Sequence, residues 1–287
     1  METQNSYSRT SITRLNAIIN LLKMGRENFL NLIVRITNYN SKPYCLLFLI
    51  PLLSIITFSC AIGQGTNEDE KFKNSPDLEI VSTSASYNDD IETIVLTIST
   101  KGKAGSTVPK AVGQMEGAPV LGYVFPTNLK AEDVGFSETE GIVALALTSH
   151  PDFDDTPLWD EDNDKDYGND GIIWHPHWVV LTKDNRVPGG LAVKQFDTQK
   201  DEVILPPTNP GMPMYMDSPG FNVVISKDKI SVVVPAFRVN HKTSFNFDAV
   251  TAYMQVNTSD ADYPMLGVYA VYSVASGDLS LPYTVKK

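Results

Sequence analysis

Short apolar runs separated by polar turns fill the chain from Leu78 to its end. LEIVSTSASY (78–87) and IETIVLTIST (91–100) flank an Asn-Asp-Asp turn. In the second run Val95, Thr97 and Ser99 alternate with Leu96 and Ile98. A period of two marks a half-buried strand. Further strands are predicted at VLGYVF (120–125), GIVALALTS (141–149), GIIWHPHWVVLT (171–182), GLAVKQF (190–196), FNVVIS (221–226), KISVVVPAF (229–237), TAYMQVN (251–257) and LGVYAVYSV (266–274). SKDK (226–229) reads as a compact hairpin turn. No long segment has the 3.6-residue period of a helix, and no internal repeat is visible. Closely spaced strands with Pro, Gly, Asn and Asp in the turns imply an all-β fold, an antiparallel β-sandwich forming a single domain over 78–287.

Two stretches carry candidate chemistry. HPDFDDTPLWDEDNDKDYGNDG (150–171) holds nine acidic side chains and one lysine. Asp160, Asp162, Asp164 and Asp166 fall at every second position and Asp170 follows. Carboxylates spaced i, i+2, i+4 in a loop are a usual oxygen source for calcium. The stretch is not an EF-hand. Counted from Asp160, position six is Lys165 instead of glycine, and position twelve is Gly171 instead of glutamate. The plainer alternative is a solvated acidic turn.

The second stretch is WHPHW (174–178). On a strand, His175 and His177 share a face with Ile173 and Val179, and Trp174 and Trp178 share the other with Ile172 and Val180. Two imidazoles about 7 Å apart along one face can grip a single ion. Pro176 cannot donate to a ladder, so this strand is expected at an edge or with a bulge, exposing its histidines. Downstream, PGMPMYMDSPGF places Met212, Met214 and Met216 at alternate positions, and thioether with imidazole suits copper. His150 and His241 are spare ligands. The alternative is that the methionines fill a core and the histidines satisfy backbone groups. Trp159, Tyr167 and Tyr215 are candidates for a sugar-stacking platform, whereas Trp174 and Trp178 are expected in the core.

Ahead of the domain, PYCLLFLIPLLSIITFSC (43–60) follows Arg35 and Lys42. A positive flank, a short apolar core and a small residue before the cut make a secretory signal. The core is shorter than the ~20 residues a bilayer span needs. Ending in Ser59-Cys60, the segment resembles a bacterial lipoprotein signal, which implies lipidation at Cys60 and a cell-envelope location at the outer membrane or cell surface. Residues 1–42 are basic and amphipathic, and a start at Met24 or later would exclude some or all of them. AIGQGTNEDEKFKNSPD (61–77) reads as a flexible tether. Its early acidic residues resemble the export signal of bacterial surface lipoproteins.

Cys45 falls in the signal and Cys60 at the lipidation site, so the mature domain has no cysteine for a disulfide, zinc-thiolate or nucleophile. Residues 1–60 hold six basic and two acidic side chains. Residues 61–287 therefore carry 17 basic against 32 acidic, a net charge of −15, which excludes nucleic acid as a partner.

The opening strand pair, together with FNVVISKDKISVVVPAFRV, resembles DOMON and family-9 carbohydrate-binding-module sandwiches. That resemblance implies sugar binding, or haem held by His and Met. The His-x-His of cupins is not matched, since residues 178–183 read WVVLTK without the following glutamate. Gly-x-Ser-x-Gly, P-loop and Gly-x-Gly-x-x-Gly patterns are absent, which argues for binding over catalysis. Three functions are left open. They are calcium-supported ligand or carbohydrate binding, copper handling on His175, His177 and Met212–Met216, and metal-dependent hydrolysis. Convergence of the imidazoles with the methionines would favour copper. Carboxylates beneath an aromatic shelf would favour calcium and sugar.

Overall fold

The computed structural model describes residues 68–150 and 173–287. The signal, Cys60, the Met24 start and the acidic segment with Asp160, Asp162, Asp164, Asp166, Asp170, Trp159 and Tyr167 lie outside them.

Thirteen strands are present among the described residues: β1 (Ile80–Asn88), β2 (Thr93–Thr100), β3 (Pro119–Pro126), β4 (Ile142–Ser149), β5 (His175–Lys183), β6 (Leu191–Val193), β7 (Met216–Asp217), β8 (Asn222–Ser226), β9 (Lys229–Pro235), β10 (Asn246–Phe247), β11 (Val250–Val256), β12 (Leu266–Val274) and β13 (Tyr283–Thr284). The fold is all-β, with antiparallel sheets. One sheet is four-stranded in the order β1-β2-β9-β8. The other runs β4-β3-β11-β12-β6-β5, and β5 pairs back onto β4. One layer of the sandwich therefore closes on itself as a six-stranded barrel, with β7 added to β5 and a separate β10–β13 pair beside it.

The two-residue period explains why the barrel wall carries few polar side chains. In β3, Leu121, Tyr123 and Phe125 face the four-stranded sheet, while Val120 and Val124 face the lumen. In β4, Val143, Leu145 and Leu147 face out, and Ala144 and Ala146 face in. β3, β4 and β5 are thus buried on both faces, and two cores form on either side of one wall. The outer core takes Ile94, Leu96 and Ile98 of β2 and Ile230, Val232 and Val234 of β9. The lumen is narrow because many of its inward positions are small. A Cβ on Gly122 would come within 2.9 Å of Met254 Cε.

Part of the segment expected to be a flexible tether belongs to the fold. Glu68–Phe72 form one helical turn, and Phe72 stacks on Tyr253 with ring centroids 6.0 Å apart. Asp77 is buried and accepts from the Thr107 backbone N–H and hydroxyl, both at 2.8 Å. The Tyr123 hydroxyl donates to the Asp77 carbonyl at 2.9 Å. These bonds hold down a stretch whose polar sequence shows no apolar period.

Gly141 enters β4 at φ +151°, and a Cβ there would lie 2.4 Å from Val180 Cγ1 and 2.7 Å from the Leu181 oxygen. Gly141→Ala is expected to cost roughly 2–3 kcal/mol in urea unfolding. Gly113→Ala, at φ +81° with nothing within 4 Å, should cost about 1 kcal/mol, the backbone penalty alone. Equal losses at the two positions would contradict the packing of β4 on β5.

Candidate metal centre

β4 and β5 together position three imidazoles. Their register sets Thr148 opposite His175 and Ala146 opposite His177. His150 follows β4 with the same parity as Ala146 and Thr148, so it joins the inward row diagonal to His175. One ring atom from each of His150, His175 and His177 lies within 4.8 Å of the others. Their exposures are 2%, 2% and 3%. The cluster was half legible in the sequence: the His-x-His pair was placed correctly on one face, but His150 could be raised above a spare ligand only by the strand register.

Their burial corrects one expectation. Pro176 was to make β5 an edge and expose the histidines. Even-numbered residues of β5 turn their N–H groups toward β7, as the Val180 N–H to Tyr215 carbonyl bond of 3.1 Å shows. β7 ends at Asp217, opposite Trp178. The donor that Pro176 lacks falls beyond that pairing, so β5 loses no ladder bond and its histidines stay inside the barrel.

Outer partners orient two of the three rings. His175 Nδ1 lies 2.6 Å from the Ile173 carbonyl, which only accepts, so Nδ1 carries the hydrogen and Nε2 points into the cluster. Ser218 Oγ is 3.1 Å from His177 Nδ1, which makes Nε2 the ring atom that can serve as a ligand. A ligating imidazole whose other nitrogen is held by a carbonyl or hydroxyl is the usual build of a metal site. His150 Nε2 and His175 Nε2 are 2.8 Å apart. With neutral rings His150 donates that bond. Two imidazoles on one tetrahedral ion at ~2.05 Å have nitrogens ~3.3 Å apart. An ion would thus replace the shared proton and part the pair by about 0.5 Å.

The methionines converge less than expected. Met214 N donates to the Met212 carbonyl at 2.7 Å and Met216 N to the Met214 carbonyl at 2.9 Å. These three-residue turns coil the segment instead of extending it. Met214 is fully buried in the lumenal core, and Met212 packs at its margin. Met216, opposite Val179, lines the same cavity as His150 and His177. His241 is exposed in a turn and takes no part in the cluster.

The aromatic platform is also corrected at Tyr215. Its ring is 6% exposed and packed edge-on against Phe136 and Phe196, with centroids at 5.9 and 5.7 Å. It presents no open face for a sugar. Trp174 and Trp178 are core residues. The Trp174 indole N–H donates to the Gly105 carbonyl at 3.0 Å, and its ring lies 4.7 Å from that of Tyr123.

Two buried polar groups near the cluster gave no signal in the sequence. Thr148 is 5% exposed, and its hydroxyl has no hydrogen-bond partner in the structure. Burying a hydroxyl this way costs about 1–3 kcal/mol. Asp217, next to Ser218, is fully buried and faces Arg238 Nη2 at 3.6 Å. Burial pushes its carboxyl above the ordinary value, and hydrogen bonds from the Thr208 hydroxyl and the Ser218 backbone N–H, with the nearby positive charge of Arg238, pull it back.

No protein-family model, curated protein or solved structure matches the chain.

The raised Asp217 carboxyl fixes a sign. The folded state binds its proton more tightly than the unfolded state, so stability falls as pH rises from about 4 through the folded value. Asp217→Asn removes that fall. Relative to the native chain, its melting temperature should gain as pH rises from about 4 through the folded value. A constant offset across that range would show that Asp217 does not titrate as its burial implies.

Proposed function

We propose that this protein binds a transition-metal ion of the zinc–copper group inside its barrel, as an exported, lipid-anchored envelope protein. The observation that carries the reading is the trio of buried imidazoles, two of them oriented by Ile173 and Ser218. Three imidazole nitrogen donors suit zinc or copper(II). Met216 on the cavity wall adds a soft atom that would favour copper. Among the described residues lining the cavity none is acidic, and the reading advanced is one of metal binding.

Calcium on Asp160, Asp162, Asp164, Asp166 and Asp170 is a separate proposal for a separate site, resting on ligand spacing alone. Sugar stacking loses Tyr215, and nothing described favours it. Cys60 lipidation and the envelope location rest on the signal-like segment.

The test is metal titration of the purified protein with melting curves. Zinc or copper at about a hundred times its dissociation constant should add about 2.7 kcal/mol, raising the melting temperature by about 5–10 °C. EDTA should reverse the shift. His150→Ala, His175→Ala and His177→Ala should each weaken binding by at least about a hundredfold, and Ser218→Ala by about tenfold. His241→Ala should change nothing. An unchanged melt with both ions, or a shift that survives the triple alanine variant, would defeat the reading.

A further inference from the structure

The metal reading says what the three histidines hold, and the lumen beside them says what the ion meets. We infer that the ion keeps a fourth position open to the barrel lumen, where it takes the oxygen of a small neutral molecule with a short aliphatic body. The inference rests on the proposed metal site.

Three observations converge. A cavity of about 80 Å³ runs through the lumen, walled by Val120, Ala146, Val179, Ala252 and Val268, with His150, His177 and Thr148 also on its lining. The polar groups sit together where β4 ends and β5 begins, and the rest of the wall is apolar. A ligand there needs one polar end.

The second observation is Thr148. Thr148 lines this cavity, on the inward row between Ala146 and His150 and opposite His175. It is buried and has no hydrogen-bond partner. Each of the three histidines has a hydrogen-bond contact, whereas this hydroxyl has none. An oxygen bound to the metal would supply one.

The third observation is a way in. β6 is three residues long and pairs with β12 at one position, Gly267 with Ala192. Past that pair the seam is unladdered. Val271 and Leu279 line the cavity there while remaining 44% and 42% exposed. The entrance is therefore apolar.

Size and charge narrow the class. A dry cavity that takes benzene measures about 150 Å³. A cavity of 80 Å³ admits a smaller body, of about four carbons. The net charge of −15 on residues 61–287 disfavours anions. Short aliphatic alcohols are the probe that matches.

The experiment loads the purified protein with cobalt(II) and titrates straight-chain alcohols from methanol to hexanol, reading the visible d–d bands. The bands should shift, with affinity rising about fourfold per methylene to about four carbons and falling beyond. Thr148→Val should retain cobalt and weaken every alcohol by about tenfold. Thr148→Ser should restore most of that. Ala252→Leu should move the optimum to a shorter chain. Bound cobalt whose bands ignore every alcohol, or affinity that ignores chain length, would overturn the inference. Failure to bind cobalt would overturn the metal reading and this inference with it. The shift of dissolved xenon-129 with the metal-free protein would then show whether the lumen still takes an apolar guest, and so which part failed.

Discussion

The closure of β5 onto β4 is the contact on which the rest of the molecule depends. It pairs seven positions, from Ile142 with Leu181 to Thr148 with His175, and turns an open sheet into a barrel. Because side chains alternate along a strand, the same pairing divides the wall into two faces. Leu145 and Trp178 go to the outer core together, and Ala146 and His177 go to the lumen together. A slip by one residue would exchange these sets, putting imidazoles against Ile94 and Leu96 and indoles into a lumen too narrow for them. The large apolar cost of that exchange fixes the register, and the register in turn assembles the histidine cluster.

This explains an economy in the site. No loop has to be ordered to bring the three imidazoles together, because the end of β4 and the start of β5 are laddered on each other. The outer partners come from equally constrained places. The Ile173 carbonyl lies two residues from the ring it holds, and Ser218 follows β7, which is paired to β5. Preorganised ligands lose little conformational freedom on binding, which leaves more of the interaction energy for affinity. Neighbouring groups remain unsettled. Thr148 lacks a partner, and Asp217 is kept buried beside a part-exposed arginine. Tensions of this kind collect where a fold is shaped for a ligand.

Much of the fold was legible in the sequence. Each of the ten runs read as strands contains a strand, half-buried ones such as β2 through their two-residue period and doubly buried ones such as β3 through a short apolar run bounded by turns. The two-residue strands β7, β10 and β13 were not seen, because two residues have no period. Ala236 and Phe237 extended the β9 reading but belong to a short turn after Pro235. Barrel closure was invisible because it depends on which strand finds which partner. The site followed the same division. His175 and His177 were found from spacing within one strand. His150 and Thr148 needed a register between strands, and Ser218 needed β7. The methionine spacing misled because alternation in a Pro- and Gly-rich segment reflects tight turns as readily as an extended strand. Tyr215 misled because an aromatic beside a loop says nothing about which side of the wall it lies on.

The proposed metal is held on imidazole nitrogen inside the barrel. X-ray absorption at the metal edge tests it most directly, on protein loaded with one equivalent of zinc or copper. The expected result is a shell of three imidazole nitrogens at about 2.0–2.1 Å, with the outer-ring scattering that histidine gives, and a light fourth atom. A shell made only of oxygens, without imidazole scattering, would place the ion on carboxylates and contradict it.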